Sequence, residues 1–209
     1  MSAQLHTMSR AIAVSCATIA ALLAALPAHA QQPSMRNAQP LDPELVTART
    51  GLERYQDPIV AVHDGYLSTL GCIEYPEGGS EGAMQYAPGG MGVHFLNMQL
   101  VGPELDPMKP QVLIYEPDGD RLRLVAAEWF MPAELVQAEV PSIFGKELQG
   151  PMEGHKPLMP GGFHHYDLHV WLWKDNPGGV FSPTNANVAC PKGSYSFSES
   201  APKMAPHKH

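Results

Sequence analysis

The side chains best suited to chemistry crowd into residues 161–173, "GGFHHYDLHVWLW". Side chains alternate along a strand, so His165, Asp167, His169, Trp171 and Trp173 fall on one face. Tyr166, Leu168, Val170 and Leu172 fall on the other, which reads as an ordinary core face. The first face gathers groups that titrate or ligate, beside two large aromatic rings. It is either a polar surface or the wall of a site.

Two further segments supply partners. In "GGMGVHFLN", Val93 and Phe95 share one face while His94 and Leu96 share the other, and the glycines allow a backbone or a ligand to come close. In "PQVLIYEPDGDRLRLVAAEWFMP", Asp118-Gly119 marks a hairpin turn. Strict alternation on its second strand places Leu122, Leu124, Ala126, Glu128 and Phe130 together. An acid among apolar side chains is costly unless it is paired or bound to a cation. Glu116, on the first strand, stands opposite Arg121 in a solvated ion pair if the turn has two or four residues, and faces the same side as Glu128 if it has three with a bulge.

His94, His169, Glu128 and Glu116 make a candidate N2O2 ligand set for a divalent ion. Imidazole with carboxylate suits Zn, Cu, Fe or Mn without selecting among them. Glu128 is also the candidate general base. His165 and Asp167 are placed to complete or orient the ligand shell, and Trp171 to wall the pocket. Each histidine has a plain alternative as a hydrogen-bonded or surface residue. A looser set, Met152, His155, Met159, His164 and His165 with Met204, His207 and His209, combines thioether and imidazole, a pairing that favours copper. His63, at the edge of an apolar helical stripe, reads as a partly buried, hydrogen-bonded histidine before it reads as a ligand. No nucleophile elbow, phosphate loop or dinucleotide fingerprint is present in the 209 residues.

Other segments must position these groups. Arg10, an apolar run and the small-residue sequence "AHA" read as a signal peptide over residues 1–30, which predicts a periplasmic or secreted protein with no membrane insertion of the mature chain. Cleavage would remove Cys16 and leave Cys72 and Cys190, the pair expected to form a disulfide. It would also remove Arg10, leaving 12 of the 13 Lys and Arg against 21 Asp and Glu. That acidic balance, without a basic stripe, argues against nucleic acid as a partner and leaves a small molecule or a metal ion.

Residues 31–41 read as a flexible leader, residues 42–191 as one secreted domain, and residues 192–209 as a disordered tail. Asp42-Pro43-Glu44 is a helix start. Leu45, Ala48, Leu52, Tyr55, Ile59, Val62 and Tyr66 follow on one helical face, which Asp57-Pro58 divides into two helices. With 21 Pro and 19 Gly, the remainder reads as turn-rich β structure. The expected fold is α+β: N-terminal helices packed on an antiparallel sheet or a small cupin-like barrel.

The segments "GGMGVHFLN", "LIYEPDGDRLRLVAAEWF", "HYDLHVWLWKDNPGGVF" and "NANVAC" resemble a group of secreted bacterial proteins of uncharacterised activity, from about Tyr55 to Cys190. The resemblance implies a single secreted domain. A fainter similarity is to cupin barrels, whose inward histidines and glutamate hold a metal, although the cupin H-x-H pair is absent around His94. The functional expectation is a periplasmic metal-binding protein or a small-molecule metalloenzyme with a His/Glu site. A metal-free envelope binding or stress protein is the alternative.

Overall fold

Two Asp-Pro pairs set the helical part. The computed structural model describes residues 41–81, 84–154, 163–191 and 196–198. Helix α1 spans Pro43–Leu52, and the Asp42 carboxylate accepts from the Glu44 amide at 2.8 Å. Helix α2 spans Pro58–His63, capped in the same way by Asp57, which accepts from the Ile59 amide at 2.9 Å. In each case the aspartate satisfies an amide that the helix itself leaves unbonded. Leu45, Ala48 and Leu52 are buried as the spacing predicts. Past the break the helical phase resets, so Ile59 and Val62 are exposed and Ala61 is buried in their place. His63 is exposed.

Among the described residues eleven strands follow: β1 (Leu67–Tyr75), β2 (Gly79–Glu81), β3 (Met84–Tyr86), β4 (Gly89–Leu96), β5 (Val112–Asp118), β6 (Arg121–Pro132), β7 (Ser142–Ile143), β8 (Lys146–Glu147), β9 (Gln149–Glu153), β10 (His164–Val170) and β11 (Ser196–Ser198). Seven form the main sheet, in the order β11-β1-β4-β5-β6-β10-β9, and all its neighbours are antiparallel except the pair β11 and β1. Among the described residues no ladder joins β9 to β11. The β2–β3 and β7–β8 hairpins form two small separate sheets.

One face of the main sheet carries Val93, Phe95, Leu113, Tyr115, Ala127, Trp129, Leu168, Val170 and Leu172, which share a core cluster with Leu45, Ala48, Leu52 and Ala61 of the helices. The opposite face carries Val112, Ile114, Ala126 and Phe130, covered by Trp171 and Val188.

A bulge on β6 decides which face Glu128 occupies. Tyr115 pairs with Leu124 but Ile114 pairs with Ala126, leaving Val125 as an extra residue. An unpaired residue reverses the alternation beyond it. Leu122 and Leu124 therefore pack with the helical-side core, while Ala126 and Phe130 turn to the other face. The expectation that Leu122, Leu124, Ala126, Glu128 and Phe130 share one face is corrected here.

Cys72 and Cys190 stand at disulfide distance, with 5.5 Å between Cα atoms and 118 residues between them in sequence. The glycines before His94 admit another backbone, as their absent side chains allow. Gly90 exchanges amide–carbonyl hydrogen bonds with Asn185 at 3.0 and 2.9 Å, and a Cβ on Gly90 would meet Val188 at 2.7 Å. This contact holds the "NANVAC" segment against β4. The signal-peptide and leader readings fall on residues outside those described, apart from Leu41. Within the segment read as a tail, Ser196–Ser198 lie alongside β1; its remaining residues, beyond Pro191, are not described.

Candidate metal centre

The β6–β10 ladder places His169 directly opposite Glu128, Asp167 opposite Phe130 and His165 opposite Pro132. His94 arrives from β4, one strand beyond β5, where it pairs with Ile114. All five polar side chains are buried: His94, Glu128, His165, Asp167 and His169 are each 7 % exposed or less. They lie on the face away from the helices, beside Phe130, Phe163 and Trp171.

Their separations carry the chemical argument. Glu128 Oε2 stands 3.4 Å from His94 Nε2 and 3.5 Å from His169 Nε2. N–H···O hydrogen bonds span about 2.7–3.2 Å, so both contacts are long for direct bonding. Two atoms each about 2.1 Å from one ion, at a tetrahedral angle, stand about 3.4 Å apart. One donor atom from each of His94, Glu128 and His169 lies within 4.8 Å of the others. The two imidazole rings approach edge to face, with centroids 5.9 Å apart. The donor set and its spacing fit a divalent ion.

Asp167 joins two histidines. Its Oδ1 is 3.6 Å from His169 Nδ1 and its Oδ2 is 3.5 Å from His165 Nε2. Burial would raise the carboxyl pKa, but the neighbouring His165 and His169 outweigh burial and hold it below the ordinary carboxylate range. Asp167 is therefore an anion. It faces the His169 nitrogen turned away from Glu128, where a carboxylate sets the tautomer and orientation of a ligating imidazole. The His165 ring lies between Phe163, stacked at 5.6 Å, and Phe130, edge-on at 5.9 Å.

Of the residues singled out from sequence, His94, Glu128 and His169 converge, with His165 and Asp167 beside them. Glu116 does not join them. It shares their face of β5 but lies four residues beyond Val112, the residue opposite Glu128. Its carboxylate accepts from Lys174 Nζ at 2.5 and 2.7 Å and from the Ala189 amide at 3.3 Å, which makes it a structural ion pair. Trp171 is buried against this face and donates its indole N–H to the Ser182 carbonyl at 2.6 Å. Trp173 leaves the face because β10 ends at Val170; it packs toward the helical side and donates to Glu53 at 2.8 Å.

In the looser copper set, Met152 is buried with its sulfur accepting from Tyr86 Oη at 3.3 Å, and His164 is exposed. His155, Met159, Met204, His207 and His209 lie outside the described residues. Sequence reasoning missed Gln149, which lies opposite Asp167 on β9. Its segment has no alternation to mark it as a strand.

Comparison with protein families, with curated proteins and with solved structures finds no match for this chain.

Proposed function

We propose that this chain is a secreted, periplasmic metal-binding protein whose His94, Glu128 and His169 hold one divalent ion. The observation that carries the reading is the position of Glu128 Oε2, within 3.5 Å of imidazole nitrogens from two non-adjacent strands. Two imidazoles and a carboxylate suit Zn, Cu, Fe or Mn. The localisation draws support from the cysteine pair and from the N-terminal sequence pattern. Among the described residues no helix is long and apolar enough to cross a membrane.

The finer fold reading is N-terminal helices packed on an antiparallel sheet or a small cupin-like barrel, and the core that the helices and one sheet face share supports the packing. The geometry favours Glu128 as a ligand. A role as general base in a small-molecule metalloenzyme would need a substrate space against it. The groove of about 330 Å³ bounded by Pro103, Met131, Val136 and Pro141 touches none of the candidate ligands.

A metal-free reading has one observation in its favour: Asp167 is already compensated by two histidines, as in a buried charge network. Elemental analysis of protein purified from the periplasm separates the two. About one equivalent of a divalent metal, lost in His169→Ala and in Glu128→Gln, supports the metal reading. Metal-free protein that takes up none on dialysis against Zn²⁺, Cu²⁺, Fe²⁺ or Mn²⁺ overturns it.

A further inference from the structure

Glu128 belongs to two groups of candidate ligands. One is His94, Glu128 and His169; the other is Glu128, His165 and Asp167, and in each a donor atom per residue lies within 4.8 Å of the rest. One ion cannot serve both groups through the atoms they present. His169 turns Nε2 toward Glu128 and Nδ1 toward Asp167. The imidazole ring therefore stands between the Asp167 carboxylate and an ion on Nε2. Asp167 Oδ2 instead points to His165 Nε2 at 3.5 Å, the spacing of two ligands on a common ion and too long for a good hydrogen bond.

An independent observation marks the same place. Gln149 lies opposite Asp167 in the β9–β10 ladder, so both side chains sit on one face of the sheet. The Gln149 amide nitrogen donates to the Phe181 carbonyl at 3.2 Å, which fixes the other amide atom as the oxygen. That oxygen is buried with no hydrogen-bond partner, on a residue paired across the ladder with Asp167, whose carboxylate can only accept. His165 and His169 compensate the Asp167 carboxylate, but the Gln149 oxygen has no donor of its own, a costly arrangement in a protein interior and a favourable one around a cation.

We propose a second cation position, held by Asp167, His165 and the Gln149 oxygen, with Glu128 shared between it and the first. The inference rests on the proposed first position only through that shared carboxylate. Paired ions bridged in this way stand about 3.5–4 Å apart. The two positions differ in character. The first offers two imidazoles, which suit Zn²⁺ or Cu²⁺. The second offers carboxylate, amide oxygen and a single imidazole, a harder set that suits Mn²⁺.

The test uses the full chain, stripped with chelator and dialysed against Zn²⁺ and Mn²⁺, with ion content measured by elemental analysis and the fold checked by circular dichroism. The wild-type protein binds two ions. Asp167→Asn, close to isosteric, binds one. Gln149→Leu keeps both carboxylates and weakens Mn²⁺ binding at least 10-fold, which reads the second position without removing a charge. His94→Ala loses the first ion. A wild-type protein with one ion, lost in His94→Ala and kept in Asp167→Asn, overturns the second position and leaves the first intact. One ion weakened in both variants also overturns it and makes Asp167 an orienting group for His169. A wild-type protein that binds no ion overturns both readings.

Discussion

His169 and Glu128 stand directly opposite one another on β10 and β6, with His169 Nε2 3.5 Å from Glu128 Oε2 and both side chains buried. A histidine and a carboxylate at that separation are too far apart to share a proton well and close enough to share an ion. Replacing His169 by Ala should therefore lower metal affinity by at least the roughly 10- to 100-fold that loss of a supporting group costs. The fold should survive, because Leu168, Val170 and Leu172 still anchor β10 in the core. Unfolding by denaturant should show a loss of about 1–3 kcal/mol in the metal-free form. Removing His164, which is exposed, should leave affinity unchanged.

Metal binding should weaken on acidification. An imidazole must be neutral to ligate, so protons compete with the ion as pH falls through the range where histidines charge, about 6.5 for an unperturbed ring. Isothermal titration at pH 7.5 and pH 5.5 should show a weaker ion at the lower pH and proton release on binding at the intermediate values. Affinity independent of pH across this window would remove the histidines from the ligand set.

The cysteine pair closes 118 residues of chain and ties β1 to the segment that packs on β4. Joining them restricts the unfolded chain, and reduction should cost about 2–4 kcal/mol. Denaturant unfolding with and without reductant measures this. Mass spectrometry of the unreduced protein should show Cys72 and Cys190 in one cross-linked peptide.

Two phenols should resist alkaline titration. Burial raises the pKa of Tyr66, with Tyr55 and Asp64 adding to it, and the Tyr66 hydroxyl donates to the Pro110 carbonyl at 2.8 Å. Burial likewise raises that of Tyr115, with help from Asp57 and Tyr55, and its hydroxyl donates to the Tyr55 carbonyl at 2.7 Å. Both shifts lie above the ordinary value of 10.0. Their contribution to stability is complete below pH 10 and declines as pH rises toward the folded-state values, because the unfolded chain then loses protons that the folded chain keeps. Ultraviolet titration should show these two phenols silent at pH 11 while the protein remains folded. Normal ionisation near pH 10 in the folded protein would contradict their burial.

The parts of this architecture that follow local rules could be read from sequence. Asp42-Pro43 and Asp57-Pro58 cap two helices because each aspartate reaches an amide two residues away. The alternation from His165 to His169 holds because β10 pairs with β6 without a break over that length. What escaped depends on pairing between distant segments. The extra residue Val125 exists only relative to β5, and it moves Glu128 to the face opposite that of Leu124. Glu116 shares the face of Glu128 for the same reason, yet its partner is Lys174, supplied by a segment whose path sequence does not reveal. Gln149 sits in a short strand with glycine and proline beside it, so neither propensity nor period marks it.

The candidate ligands come from β4, β6 and β10, and β5 lies between the first two while supplying none. Backbone hydrogen bonds fasten each strand only to its immediate neighbours. An ion held by His94 and Glu128 would instead act as a cross-brace over β5, tying strands that share no ladder and resisting shear between them. The mechanical effect should then be greatest where no ligand resides: amide hydrogen exchange at Leu113 and Ile114 should slow on metal addition, although neither residue touches the ion.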